Sequence, residues 1–408
     1  MPRVLVTGIG LRTALGNDRE TSWQGLRKGR NGCCLLDVPV AAGAPPYAGY
    51  PIRHSDHRGW ENIFKAAIEA VADAGLRKDS FDPERAGTVL SMSKGDLVRL
   101  AHYHRHCLTG STVPECPGNW LIAWPSGAAG IARTWDLRGP CLVPIAACAT
   151  GLIAAIQAAD LIRRGACDLV LAGAGDTSLA PLVLGAFRRM GVFPHLKQGD
   201  DHSRAVRPWD RSRSGFLVGE GAAVLVLERD DHARARGAFP YCEFAGGAYG
   251  SDAYHMTDLN PDPSNLASLI GRALSWSGVD ASEIDHVNVH GTATRVNDPL
   301  ECQALRRALR SHADGVSCSA NKAQIGHCLG AAGAAELAFT CLAVRDQFVP
   351  PTLNLDDPDP LCDLDATLHV GRFRPIRAAL KLSLGFGGHL AAAVVRQVEA
   401  PRREAVPS

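Results

Sequence analysis

Three things are scarce in this sequence. Net charge is nearly absent: 43 Lys and Arg stand against 42 Asp and Glu, leaving +1 over 408 residues. That excludes a long-range field toward nucleic acid or membrane, so an acidic partner would have to be read by a local patch. No apolar run reaches membrane-spanning length. A disulfide framework is missing as well. The 13 cysteines are odd in number, Cys33 and Cys34 are adjacent, and no CxxC occurs. With no secretory signal at Met1-Pro-Arg-Val, a reduced, cytoplasmic chain is expected.

What is present describes a globular enzyme-sized chain. Hydrophobic residues make up 46% and charged ones 21%, enough for one large two-core unit or two to three ordinary domains. Arg3-Val-Leu-Val-Thr-Gly8 predicts a short buried strand and a Gly-rich turn. Gly8-Ile-Gly10 is half a dinucleotide fingerprint, without the third glycine or an acidic ribose anchor. His102, His104 and His106 resemble a metal site, but on a helix only His102 and His106 share a face, and no second cluster completes a shell. No metal and no cofactor are expected.

Buried strands alternate with helices along the chain. Strands are predicted at Gly87–Ser91, Asp168–Gly173 and Gly221–Glu228, with a loop over Arg204–Glu220. The pattern restarts near Ala238, with strands at Tyr241–Ala248, His286–His290, Gly315–Ser319 and Leu380–Leu384. Helices are predicted at Asn62–Gly75, Ser264–Ser277, Pro299–Arg310 and Gly330–Gln347. Two successive α/β halves, residues 1–238 and 239–408, imply layered sheets covered by helices.

One stretch organises the chemistry. Cys141-Leu-Val-Pro-Ile predicts a short buried strand, and Ala149 to Arg164 a helix with almost no polar face, stopped at Gly165. Cys148 lies at the turn between them, facing the unpaired N–H groups of the first helical turn. A lowered thiol pKa is expected there. The alternative is a small buried hydrophobe, like most of the other cysteines. Further along, Asn288-Val-His290-Gly-Thr292-Ala-Thr294 puts a histidine at a strand end. Asn321-Lys322-Ala-Gln-Ile-Gly-His327 puts a second one ahead of a small-residue helix containing Glu336. Gly385-Phe386-Gly-Gly388 makes a turn after the last core strand. One cysteine and two histidines, each at a strand end or helix start, form a joint signal that none carries alone.

This ordered set, with Leu137-Arg-Gly-Pro140, Arg207-Pro-Trp-Asp-Arg-Ser-Arg-Ser-Gly215-Phe and Ser251-Asp252-Ala-Tyr-His-Met256, resembles the β-ketoacyl-acyl carrier protein synthases over nearly the whole chain. It is most similar to synthase II and the type II polyketide ketosynthases. The resemblance implies a thiolase fold of the α/β class, with two related halves in a five-layered αβαβα unit, and a homodimer. It implies decarboxylative Claisen condensation on acyl carrier protein substrates, in fatty-acid or specialised polyketide synthesis. By the same resemblance Cys148 is the nucleophile, and the backbone N–H groups of Cys148 and Phe386 form the oxyanion hole. His290 and His327 donate to the enolate, Lys322 and Glu336 support them, and Thr292 and Thr294 contact the pantetheine arm. Phe386, Phe187 and Lys94 line the substrate path. For Lys322 and Glu336 a structural ion pair is an equal alternative.

Several positions depart from the family pattern. Leu382-Ser-Leu384 replaces Asn-Ser-Phe, His389-Leu390 replaces Thr-Asn, and Ala293 replaces a glycine between the two threonines. The loop after Met256 lacks its usual glycines, and Lys94 falls where a small or branched apolar residue limits the acyl pocket. The rival readings are a non-catalytic chain-length factor, which lacks the cysteine and would form a heterodimer, and a thiolase acting on coenzyme A. A carrier-docking patch is expected among Arg53, Arg58, Lys65, Arg204, Arg207, Arg211 and Arg213. Internal ion pairing is the better reading for Arg207.

Overall fold

The computed structural model describes residues 1–38, 46–53, 59–95, 97–110, 123–196 and 199–398, with backbone alone at 98–103 and 123–126. Arg58, Asp96 and the tail from Pro401 lie outside the described residues.

Eleven strands form one hydrogen-bonded series. In chain order they are β1 (Val4–Thr13), β2 (Ala86–Ser91), β3 (Cys141–Leu142), β4 (Leu169–Asp176), β5 (Gly221–Arg229), β6 (Cys242–Ser251), β7 (Ile284–Asn288), β8 (Ser317–Ser319), β9 (Asp365–Ala366), β10 (Ala378–Gly385) and β11 (His389–Arg396). The spatial order is β9-β8-β7-β10-β11-β6-β1-β5-β4-β2-β3. It contains the same arrangement twice. In β1-β5-β4-β2-β3 the first two pairings are antiparallel and the next two parallel, and β6-β11-β10-β7-β8 repeats this. Among the described residues the two sets pair where Leu5 and Val6 of β1 face Glu243 and Cys242 of β6.

Five helices make the layers: α1 (Gly59–Asp73), α2 (Thr150–Arg163), α3 (Ser264–Ser277), α4 (Asn297–Leu309) and α5 (Ala332–Asp346). The middle pair, α2 and α5, packs together and touches strands of both sets. Helix α1 covers the outer face of the first set, and α3, itself packed on α4, covers that of the second. The alternation of side chains along each strand separates three cores. Val170, Ala172 and Ala174 of β4 face the middle helices, while Leu169 and Leu171 face α1. In β10, Leu380, Leu382 and Leu384 face outward to α3 and α4, and Ala379 faces inward. This is the five-layered α/β architecture expected of a thiolase fold.

Local expectations are corrected in three places. The Gly8 to Thr13 stretch is no turn: it continues β1 to ten residues. Its glycines exist for helix packing, since a Cβ on Gly10 would meet the Ala66 carbonyl oxygen of α1 at 1.8 Å. The strand at Cys141 is a two-residue edge with both side chains exposed, because no described strand flanks its outer side. The Gly385–Gly388 turn does not follow the last strand but joins β10 to β11, which pairs with β6 over its length. None of the helices among the described residues is long and apolar enough to cross a membrane.

Gly10→Ala should destabilise the fold by about 2–3 kcal/mol, because the added methyl must push α1 off the sheet. Urea unfolding of the variant against the parent chain measures this directly.

Candidate active site

Three turns converge at the start of the middle helices. The first carries Cys148, in a short 3-10 segment ahead of α2. Ala147 beside it has φ +47°, a left-handed conformation that sharpens the elbow and costs roughly 1–3 kcal/mol. Thr150 braces that elbow: its hydroxyl accepts from the Ala146 N–H at 2.9 Å and donates to the Ala147 carbonyl at 2.8 Å. The second turn carries His327, ahead of α5. Its Nε2 lies 3.1 Å from Cys148 Sγ. His290 follows the end of β7, and its ring stands edge to face with that of His327 at 5.3 Å.

The third turn joins β10 to β11. Gly385 lets it approach closely: a Cβ there would meet the Ala146 carbonyl oxygen at 2.8 Å and the Cys148 nitrogen at 3.1 Å. The Phe386 N–H consequently reaches the Cys148 sulfur. A cavity of about 160 Å³ opens between these turns, lined by Cys148, His290, His327, Phe386, Thr292 and Thr294 among others. The two threonine hydroxyls lie 3.0 Å apart at its wall. Ala293 between them sits at φ +59°, a conformation that glycine adopts without strain.

The sequence matches the models of the beta-ketoacyl synthase N-terminal domain over residues 62–233 and C-terminal domain over residues 241–356. It is 36% identical to a putative polyketide beta-ketoacyl synthase 1 of Streptomyces halstedii, across 96% of this chain and 97% of the relative. It is 32% identical to the 3-oxoacyl-[acyl-carrier-protein] synthase 2 of Coxiella burnetii, across 95% and 96%. Among solved structures, a type II polyketide ketosynthase bound to the hexaketide, in complex with its acyl-carrier protein, superposes with TM-score 0.93. It has 31% identity and covers 97% of this chain and 100% of that one. The chain belongs to the β-ketoacyl synthase family. It is an acyltransferase of the 3-oxoacyl-acyl carrier protein synthase type.

The electrostatics of the synthase site correct one expectation. Burial pushes the Cys148 thiol up to about 11, against the pull of Lys94, Lys322 and the Phe386 N–H. Desolvation outweighs the helix start, so the resting group is a thiol. Both histidines are held well below the usual imidazole range by burial first. Lys322, His327 and Lys381 add to this for His290, and Lys322, Lys94 and Lys381 for His327. They are therefore neutral. His327 Nδ1 accepts the Leu329 N–H at 3.3 Å, so the ring proton sits on Nε2, directed at Cys148 Sγ.

Lys322 and Glu336 are fully buried behind the histidines and do not line the cavity. Lys322 Nζ donates to the His290 carbonyl and lies 2.7 Å from Glu336 Oε1. The other carboxylate oxygen takes Lys381 Nζ at 2.6 Å. Lys381 went unnoticed in the sequence, although a lysine on the inward face of a buried strand is itself a signal. Glu301 was also missed. Its carboxylate accepts the N–H groups of His290 at 2.6 Å and Gly291 at 2.7 Å.

The remaining candidates are scattered. Lys94 is absent from the cavity wall and pairs with buried Asp176 at 3.0 Å. Phe187 lies behind the cavity wall, its ring tilted to that of Phe386 at 6.5 Å and edge-on to that of Phe216 at 5.7 Å. The basic loop is largely neutralised. Arg204 and Arg207 meet Asp356, Arg211 meets Asp357, and Arg213 is buried against Asp298 and Asp359. Lys65 pairs with Glu61 one turn away, and Arg53 is exposed. The side chain of His102 lies outside the described residues. Among the described residues no group of three or more His, Cys, Asp or Glu could hold a metal ion.

A resting thiol predicts slow alkylation of Cys148 at neutral pH, rising about tenfold per pH unit between roughly pH 7 and 10. Iodoacetamide labelling followed by mass spectrometry of the Cys148 peptide reads this. A rate already level at neutral pH would mean a thiolate at rest.

Proposed function

We propose that the synthase joins an acyl group held on Cys148 to a malonyl group that loses carbon dioxide, both delivered on the pantetheine arm of an acyl carrier protein. The observation that carries this is the meeting of Cys148 Sγ, His327 Nε2–H and the Phe386 N–H at one cavity.

Acyl loading exchanges one thioester for another, so no net proton is consumed. The Cys148 proton leaves with the carrier thiol. The transient thiolate is stabilised by His327 Nε2–H, the Phe386 N–H and the start of α2. The Cys148 and Phe386 N–H groups then hold the oxyanion, each such donor being worth about 3–4 kcal/mol. Malonyl decarboxylation leaves an enolate whose oxygen takes hydrogen bonds from His290 and His327. Its carbon attacks the Cys148 thioester, collapse expels the Cys148 thiolate, and a proton from solvent returns it to the thiol. Lys322 and Glu336 act from behind His290 rather than on substrate. Thr292 and Thr294 hold the pantetheine arm, and Phe187 backs the aromatic wall beside Phe386.

We divide the chain into halves 1–238 and 239–408 on the strength of the repeated strand order, with the nucleophile in one and both histidines in the other. A homodimer in the cytoplasm is part of this reading. Cys141, Leu142 and Ile145 are exposed at the β3 edge, an open row of ladder groups that a second copy would cover. A solved ketosynthase/chain length factor is 30% identical and superposes with TM-score 0.85, covering 98% of this chain and 100% of that one. The presence of Cys148 argues against the chain-length factor role here.

Cys148→Ala should abolish acyl transfer and condensation, whereas Cys148→Gln should keep malonyl decarboxylation. His290→Ala or His327→Ala should lower decarboxylation by about 10²–10³. Intact-protein mass spectrometry follows acyl loading and carbon dioxide release follows decarboxylation. Normal condensation by Cys148→Ala would sink the mechanism.

That Lys94 bears on the acyl substrate rests on the family resemblance, since its ammonium turns to Asp176 and not to the cavity. Lys94→Ile should broaden the accepted saturated acyl chains with little change in decarboxylation. An unchanged chain-length profile on a panel of acyl carrier thioesters would remove this argument.

A further inference from the structure

Lys381 is a second buried lysine on a single carboxylate. It projects from β10 between Leu380 and Leu382, on the face turned to the middle helices, and is fully buried. Glu336 on α5 bridges it to Lys322, with 2.6 Å on one oxygen and 2.7 Å on the other. Two ammonium groups thus share one carboxylate and leave a surplus positive charge behind the histidines. A buried charge of this kind is costly unless its partners are good. Here every remaining partner belongs to the approach to His290. Lys381 Nζ reaches Asn288 Oδ1 at 3.1 Å and the Val289 carbonyl at 3.2 Å, while Lys322 holds the next carbonyl, that of His290.

We propose that Lys381 is a positioning residue for the condensing reaction: through Asn288 and the Val289 carbonyl it fixes the strand end that presents His290, and it stands as a positive charge behind both imidazoles. This rests on the donor roles given to the two histidines above. The charged and titratable groups that act on them are accounted for. His290 has Lys322 and Lys381 behind it, His327 beside it and Glu301 on its N–H. His327 has Cys148 at 3.1 Å, with Lys94, Lys322 and Lys381 nearby, and Lys94 is itself paired with Asp176. Of these, Lys94 and Lys381 touch neither histidine's backbone nor the cavity, and Lys94 is already paired with Asp176, so Lys381 is the charge that can be removed without removing a reacting group. The sign follows: deleting a cation makes imidazolium easier to form, so protonation would disable the donors at higher pH.

The test uses the full chain with Lys381→Met, which removes both charge and hydrogen bonds, and Lys381→Gln, which keeps a donor for Asn288 and Val289. Decarboxylation of malonyl carrier protein is measured against pH, with acyl loading of Cys148 and thermal unfolding as controls. Both variants should move the acid limb of decarboxylation upward. Lys381→Met should also lose several-fold in plateau rate, which Lys381→Gln largely restores. An unmoved acid limb in a folded, loadable variant overturns the proposal. So does failure of both variants to fold, which would make Lys381 a residue of core stability alone. If His290→Ala and His327→Ala decarboxylate normally, the donor reading itself fails, and that result is separate from either outcome at Lys381.

Discussion

The two middle helices touch through glycine, and the site depends on that contact. A Cβ on Gly151 of α2 would meet the Ala334 nitrogen of α5 at 2.6 Å, and one on Gly333 of α5 would meet the Leu152 nitrogen of α2 at the same distance. The relation is reciprocal, as suits two helices that sit alike in the repeated strand order. Backbones that close leave no room for side chains at the helix starts. The residues just ahead of each helix, Cys148 and His327, are therefore carried together from positions 179 apart in the chain. Larger residues at either glycine would separate sulfur from ring before altering any reacting group.

The second constraint is dryness. Cys148, His290, His327, Lys322, Lys381, Glu301 and Glu336 are all buried. Burial holds the thiol protonated and the imidazoles neutral, and pushes Glu301 up to about 7. The site at rest is thus built of neutral reacting groups backed by a charged bracket. In such surroundings each hydrogen bond to developing charge is worth more than in water, and an unpaired charge costs more. In the lysine–glutamate–lysine bracket one carboxylate offsets two ammonium groups, and the spare donors go to backbone carbonyls and Asn288.

Much of this could be read before any coordinates. The alternation of strands and helices was legible because its strands are continuous apolar runs and its helices begin and end at clear signals. Cys148, His290 and His327 were legible because each stands at a strand end or helix start within a distinctive run. What escaped depended on depth and on neighbours far away in sequence. Lys381 and Asp176 read as single polar residues at apolar strands, and only the fold shows what they face. The thiol expectation failed because a helix start is a local feature, whereas desolvation is set by the whole layer. Gly8 and Gly10 mimicked a phosphate loop because close helix packing and close phosphate approach both require a missing Cβ. Strand β11 was overlooked because Ala391, Ala392 and Ala393 suit a helix as well as a strand.

The β10–β11 hairpin bears on how the enzyme comes into being. Its turn supplies Phe386, and its second strand wedges between β6 and β10, elements made at very different times on the ribosome. Cys148 is synthesised long before this hairpin, so a growing chain holds it with neither Phe386 nor the inner lysine of β10 beside it. Pairings over such separations form late and slowly. Until they form, the cysteine has no buried site and behaves as an ordinary reactive thiol. Maturation of this protein is then also a change in the chemistry of one sulfur, from exposed to enclosed, completed when the β10–β11 hairpin docks.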